Sequence, residues 1–167
     1  MGFSVRAVRE EDAASIVGLL NPLIQAGTYT VMDEPVSVDE QIDFIRGFPE
    51  RGVFNVAVCD TSGRLLGLQD VAPISPGSGA FEHVGVISTF VALGSHGRGI
   101  GRSLSEATFR AATRLGFVKI SATIRADNPR AVSFYPSQGF RIVGTAQRHA
   151  LIGGRYVDEV LAERFLD

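Results

Sequence analysis

Apolar residues recur along this chain in two periods, and the switches between them outline the fold. Phe3 to Val8 alternates apolar and polar positions, the signature of a strand with one buried face. Asp12 then opens a helical stretch in which Ile16, Leu19, Leu20 and Leu23 share one side. Pro22 interrupts that stretch. A proline has no amide hydrogen and crowds the preceding turn, so a kink or an end is predicted near Asn21. Ala26 to Val36 is polar and turn-like, with Gly27, Asp33 and Pro35. Ser37 and Glu40 form a capping box, which starts a second helix running from about Val38 to Gly47. Two strands follow, Val53 to Cys59 and Leu65 to Ile74, joined by the turn Asp60-Thr61-Ser62-Gly63. Ser75 to Ala80, rich in Gly, Ser and Pro, is a loop, and a long apolar strand from Val84 ends at Val91.

The period then changes. Ile100, Leu104, Ala107, Ala111 and Leu115 lie on one helical face. Val118 to Ile124 reads as another strand. Asn128 caps a further helix with Pro129 at its first position, and Gly139 closes it. Arg141 to Ala150 and Arg155 to Leu166 are two strands joined around Gly153-Gly154. The order is strand, two helices, three strands, helix, strand, helix, two strands. It predicts one mixed α/β domain over residues 1–167, with hairpins near both ends.

Composition narrows the chemistry. The chain has 167 residues, 45% of them hydrophobic, and a net charge of −2, which argues against nucleic acid as the main partner. No apolar run is long enough to span a membrane. No apolar segment precedes Arg6, Arg9, Glu10 and Glu11, so a signal peptide is not expected and the cytoplasm is the simplest compartment. Cys59, the one cysteine, sits in an apolar strand and reads as a core thiol. His83, His96 and His149 lack ligand spacing, so no metal is expected.

The remaining chemistry gathers at His96-Gly97-Arg98-Gly99-Ile100-Gly101-Arg102, between a strand and a helix. Three glycines there expose main-chain amides beside a helix N-terminus, an arrangement that suits a phosphate or pyrophosphate. A P-loop is excluded because Ile100 and Gly101 stand where its Lys and Ser/Thr belong. A dinucleotide fingerprint fails at Arg102, where its third glycine should be.

His96, Gly99 and Gly101 at this junction, with Asn128, Ala131, Phe134, Tyr135 and Gly139-Phe140 downstream, resemble the GNAT N-acetyltransferase family. The nearest branch is that of the phosphinothricin and amino-acid-sulfoximine acetyltransferases. The resemblance implies a mixed α/β fold. Its central, mostly antiparallel twisted sheet splays between the fourth and fifth strands, with helices on both faces. It further implies transfer of acetyl from acetyl-CoA directly to a primary amine of a small molecule, without a metal. Homodimers are common in that branch. A catalytically idle acyl-CoA-binding module and a protein N-terminal or lysine acetyltransferase are the alternatives left open.

Site residues follow from the same resemblance. Amides of Gly97, Arg98, Gly99, Ile100, Gly101 and Arg102 would cradle the pyrophosphate, with charge from Arg98 and Arg102. His96, Asn128, Arg130 and Ser133 join them on the coenzyme side. The strand end Phe90, Val91, Ala92 and Leu93 would pair with the pantetheine arm, and a backbone N–H there, that of Val91, would polarise the thioester carbonyl. Tyr135 is the candidate to protonate the departing thiolate, and Pro136 predicts a kink or early helix end beside it. The family's glutamate base would fall at Val86, which cannot serve; Glu82 and His83 are the substitutes. The acceptor would meet Thr28, Tyr29 and Thr30, Phe81, and one of Gln69 and Asp70, polar residues within an apolar strand. Some relatives carry an arginine after the third strand to grip a carboxylate, and here that position is Ser75.

Overall fold

Each predicted element is present in the computed structural model, which describes residues 2–167. The order is β1 (Phe3–Ala7), α1 (Ala13–Ala26), α2 (Val38–Arg46), β2 (Val53–Cys59), β3 (Leu65–Pro73), β4 (Val84–Val91), α3 (Ile100–Arg114), β5 (Lys119–Arg125), α4 (Pro129–Ser137), β6 (Arg141–Ile152) and β7 (Arg155–Phe165). Local signals set most of the boundaries. Ser37 Oγ accepts from the Glu40 amide (3.2 Å) while Glu40 Oε2 accepts from the Ser37 amide (2.8 Å), which completes the capping box of α2. Gly153 and Gly154 both take positive φ (55° and 76°), as a two-residue hairpin with the twist of its strands requires.

Of the two outcomes expected at Pro22, a kink or an end, the end does not occur. The helix continues to Ala26 because the turn after the proline carries Leu23 and Ile24 into the core formed with Phe54, Val56 and Leu68. Burying two such side chains returns about 1.5–3 kcal/mol each, enough to offset a proline's cost of about 3 kcal/mol. Pro136 likewise leaves α4 intact to Ser137, because it falls in the last turn. The Phe140 amide reaches the Tyr135 carbonyl (3.1 Å) and Gly139, at φ 86°, reaches that of Pro136 (3.0 Å), so the expected glycine closure holds.

One seven-stranded sheet has the order β1-β2-β3-β4-β5-β7-β6. Every neighbouring pair is antiparallel except β4 and β5, which α3 joins as a crossover. That parallel pair holds for only three rungs, Val84–Lys119, Gly85–Ile120 and Val86–Ser121. Beyond Val86 and Ser121 the two strands part, and the sheet opens into a cleft.

Side chains divide by parity. Val71, Ile87, Ala122, Ile124, Val160 and Ala162 form one core with Phe109 and Ala112 of α3 and Tyr135 of α4. Leu68 and Phe90, of the opposite parity, pack with α1 on the other face. Gly85 lies where the first core is tightest: a Cβ there would meet Val71 Cγ1 at 2.6 Å and Phe117 Cδ1 at 3.3 Å. Gly85→Ala should therefore cost about 2 kcal/mol, read as a lower urea midpoint at unchanged m-value.

Candidate active site

The cleft between β4 and β5 continues into a cavity of about 680 Å³. Its floor at one end is the glycine loop. Gly97 and Gly99 adopt φ 76° and 78°, and nothing lies within 4 Å of where their side chains would begin. The first bond of α3 runs from the Ser103 amide to the Gly99 carbonyl (3.0 Å). The amides of Ile100, Gly101 and Arg102 therefore precede the first helical bond and face outward at the positive end of a 15-residue helix. This is a cradle of the size and sign for a pyrophosphate. His96, Gly97, Gly99, Ile100, Gly101, Arg102, Asn128, Arg130 and Ser133 all line the cavity. Arg98 does not. His96 stacks on Tyr29 (centroids 5.7 Å apart, planes at 12°), and burial with the nearby Arg130 charge pulls its pKa down.

Backbone parity sets the wall. The Ala92 amide donates to the Leu66 carbonyl (2.9 Å), whereas the His83 carbonyl accepts from the Val118 and Lys119 amides. Even-numbered amides of β4 thus turn toward β3, and those of Ile87, Thr89 and Val91 turn toward β5. Because β5 has parted from β4, Thr89 and Val91 present free donors to the cleft. Phe90 and Val91 line the cavity as expected, but Ala92 and Leu93 do not. Ala92 is spent on the β3 ladder and packs against α1, and Leu93 borders a separate shallow hollow beside Pro22.

Tyr135 enters from α4, and its hydroxyl donates to Thr89 Oγ1 at 3.1 Å. Burial pushes its pKa up to about 12, opposed by the Thr89 bond and assisted by the charge of Asp70. Thr89 Oγ1 also accepts from Gln69 Nε2 (2.9 Å), which bonds Ser105 Oγ of α3 as well (3.0 Å). Gln69 therefore braces the phenol's partner from the α3 side and does not face an acceptor. Its Oε1 is buried without a partner among the described residues.

Asp70, one residue on, lies on the opposite face across from Ser88, and Ser88 lines the cavity. Burial raises the pKa of Asp70 to about 7. Glu82, His83 and Phe81 are displaced from the site. They are exposed, precede β4, and lie beyond its paired end, whereas the cleft opens past Val86. Tyr29 and Thr30 line the cavity; Thr28 is exposed and does not.

Two wall residues carried no usable sequence signal. Arg125, at the end of β5, is buried and clamps Asp127 through Nε (2.8 Å) and Nη2 (2.7 Å), while Nη1 donates to the Thr30 carbonyl (2.8 Å). The Thr30 bond ties the α1–α2 loop over the cleft, and the two bonds from Arg125 to Asp127 hold that carboxyl below its ordinary range. Glu159 of β7 stands in register with Arg125. Thr89 could have been flagged by the rule that singled out Gln69, a polar residue inside an apolar strand. Among the described residues no acidic, histidine or cysteine cluster could hold a metal, and no helix is long and apolar enough to cross a membrane.

The chain matches the profile of the acetyltransferase (GNAT) domain over residues 5–161. It is 28% identical over 162 residues to the phosphinothricin N-acetyltransferase of Streptomyces coelicolor, covering 96% of this chain and 94% of that protein. It is 24% identical over 170 residues to the L-methionine sulfoximine/L-methionine sulfone acetyltransferase of Pseudomonas paraeruginosa, covering 100% and 96%. Its fold is similar to the crystal structure of a GNAT superfamily phosphinothricin acetyltransferase from Sinorhizobium meliloti in complex with AcCoA. That likeness has a TM-score of 0.89 at 22% identity, covering 99% of this chain and 89% of the other.

Proposed function

We infer the reaction from one premise: this chain belongs to the GNAT acetyltransferase family. The reaction is transfer of acetyl from acetyl-CoA to the primary amine of a small molecule. One observation carries this reading. A single cavity joins a glycine cradle at a helix N-terminus, unpaired β4 amides, and a buried phenol at their far end. Acetyl-CoA supplies a thioester, whose carbonyl carbon accepts the amine and whose sulfur departs with the bonding electrons.

The protein's own groups do the rest. Amides at Ile100, Gly101 and Arg102 hold the pyrophosphate. The Thr89 and Val91 amides bind along the pantetheine arm and polarise the carbonyl oxygen. Tyr135, kept protonated by burial, donates to the sulfur as charge develops there. Asp70 takes the place proposed for Glu82 and His83. Its side chain shares a face and a cross-strand rung with Ser88, about 5 Å between Cβ atoms, so the Ser88 hydroxyl can pass the amine's proton to it.

The test is acetyl-CoA turnover across a panel of small primary amines, including phosphinothricin and methionine sulfoximine. Free thiol should appear in step with N-acetylated product identified by mass spectrometry. Tight acetyl-CoA binding with no thiol release from any amine would instead describe an idle binding module and reject the transferase reading.

A further inference from the structure

Among the described residues Glu159 is the one acid on the cavity wall, and none of them pairs with its carboxylate. It is 7% exposed, and its carboxylate makes no hydrogen bond or ion pair among the described residues. Its oxygens are not sealed from solvent, so the unpaired carboxylate is open to the cavity, where a cationic group of a ligand can meet it. Two of the cations near it on the sheet are committed elsewhere. Arg125, directly across the β5–β7 ladder, is taken up by Asp127 and the Thr30 carbonyl. Arg155 leans toward Asp127 at 3.6 Å. Arg130 and His96 line the same cavity, and His96 is stacked on Tyr29.

Parity places Glu159 on the acceptor side. Val160 and Ala162 of β7 face the α3 core, so Glu159 faces the α1–α2 loop, like Arg125 and like Ser88 on β4. Arg125 and Glu159 stand four residues past Ser121, the last residue of β5 paired to β4. They flank the opened cleft itself.

We propose that Glu159 binds a second, non-reacting ammonium of the acceptor, so that the site selects short diamines over monoamines and over amino acids. This rests on the acetyl-transfer reading above and adds the acceptor class to it. Ser88, with Asp70 behind it, would face the reacting amine while Glu159 holds the distal one. A carboxylate in the distal position would meet Glu159 as a like charge, and Arg125 has its donors already turned to Asp127 and Thr30.

The test compares 1,4-diaminobutane, 1-aminobutane and 2,4-diaminobutanoic acid as acceptors for the full chain with acetyl-CoA. A calorimetric titration of 1,4-diaminobutane without coenzyme supplies a readout independent of turnover. In the unaltered protein kcat/KM should favour 1,4-diaminobutane over 1-aminobutane by about tenfold or more, through KM. Glu159→Gln should bring that ratio to within about twofold of parity and abolish the calorimetric signal, and Glu159→Asp should restore part of both. A diamine preference that survives Glu159→Gln overturns the proposal. So does turnover of 1-aminobutane as efficient as that of the diamine, and that result leaves the transferase reading standing. Absence of turnover with every amine removes both.

Discussion

Tyr135→Phe should lower kcat for acetyl transfer by about 10²–10³-fold while leaving the KM for acetyl-CoA within about twofold. The phenol and the phenyl ring fill the same space against Phe134 and Phe140, so the fold has little reason to respond. What disappears is one hydroxyl and its 3.1 Å bond to Thr89, worth about 1 kcal/mol of stability. With a pKa of about 12, the phenol is protonated at every pH at which the protein would be assayed. A thiol titrates near 8.5, so the departing thiolate is the weaker base and draws a hydrogen bond from the phenol rather than stripping its proton. Stopped-flow single-turnover rates place the loss in the chemical step. A Tyr135→Phe protein with an undiminished single-turnover rate would dismiss the phenol as hydrogen-bond donor to the leaving sulfur.

Asp70→Asn should reduce kcat/KM by about 100-fold at pH 8 and flatten the acidic limb of the pH profile. The unaltered protein should gain activity as pH rises through about 7, where Asp70 loses its proton and becomes able to accept one from the amine. Stability should move the other way. Burial raises the folded-state pKa of Asp70 above its unfolded value, near 3.9, so the folded state retains a proton that the unfolded chain gives up. The stabilisation from that proton is fully present below about pH 4 and is lost as pH rises through about 7. Asp70→Asn should therefore melt higher than the unaltered protein at pH 8, by roughly 2–4 kcal/mol, and match it near pH 4. A variant that gains stability while losing activity is the mark of a group kept for chemistry. Full activity with an unchanged pH limb would return the proton to solvent or to another group.

The glycine cradle, the α4 cap at Asn128 and the closing Gly139 were all legible because each is decided within a few residues. A positive φ, a missing Cβ or a side-chain oxygen near a helix start needs no distant neighbour. That α1 continues past Pro22 was not legible, for the complementary reason. The proline's cost is local and visible, whereas the compensating burial of Leu23 and Ile24 depends on β2 and β3. The β4 donors fall between these cases. Their parity is periodic and readable, but that they are free depends on β5 turning away after Ser121.

The proposed base and acceptor wall were beyond reach of local pattern. Glu82 and His83 had suitable chemistry at the start of the right strand, yet the cleft opens at that strand's other end. Gln69 and Asp70 are neighbours in the chain, but the two-residue period of a strand sends one to brace Thr89 and the other to stand beside Ser88. Glu159 and Arg125 meet through a pairing between β5 and β7 that α4 and β6 separate in the chain. The sequence by itself determined the order of elements and the phosphate cradle, because main-chain geometry and capping are short-range. Only the tertiary structure decided that Glu159 lines the cavity and that Asp70 stands across from Ser88, because sheet register and the point where two strands separate are properties of several distant segments packed together.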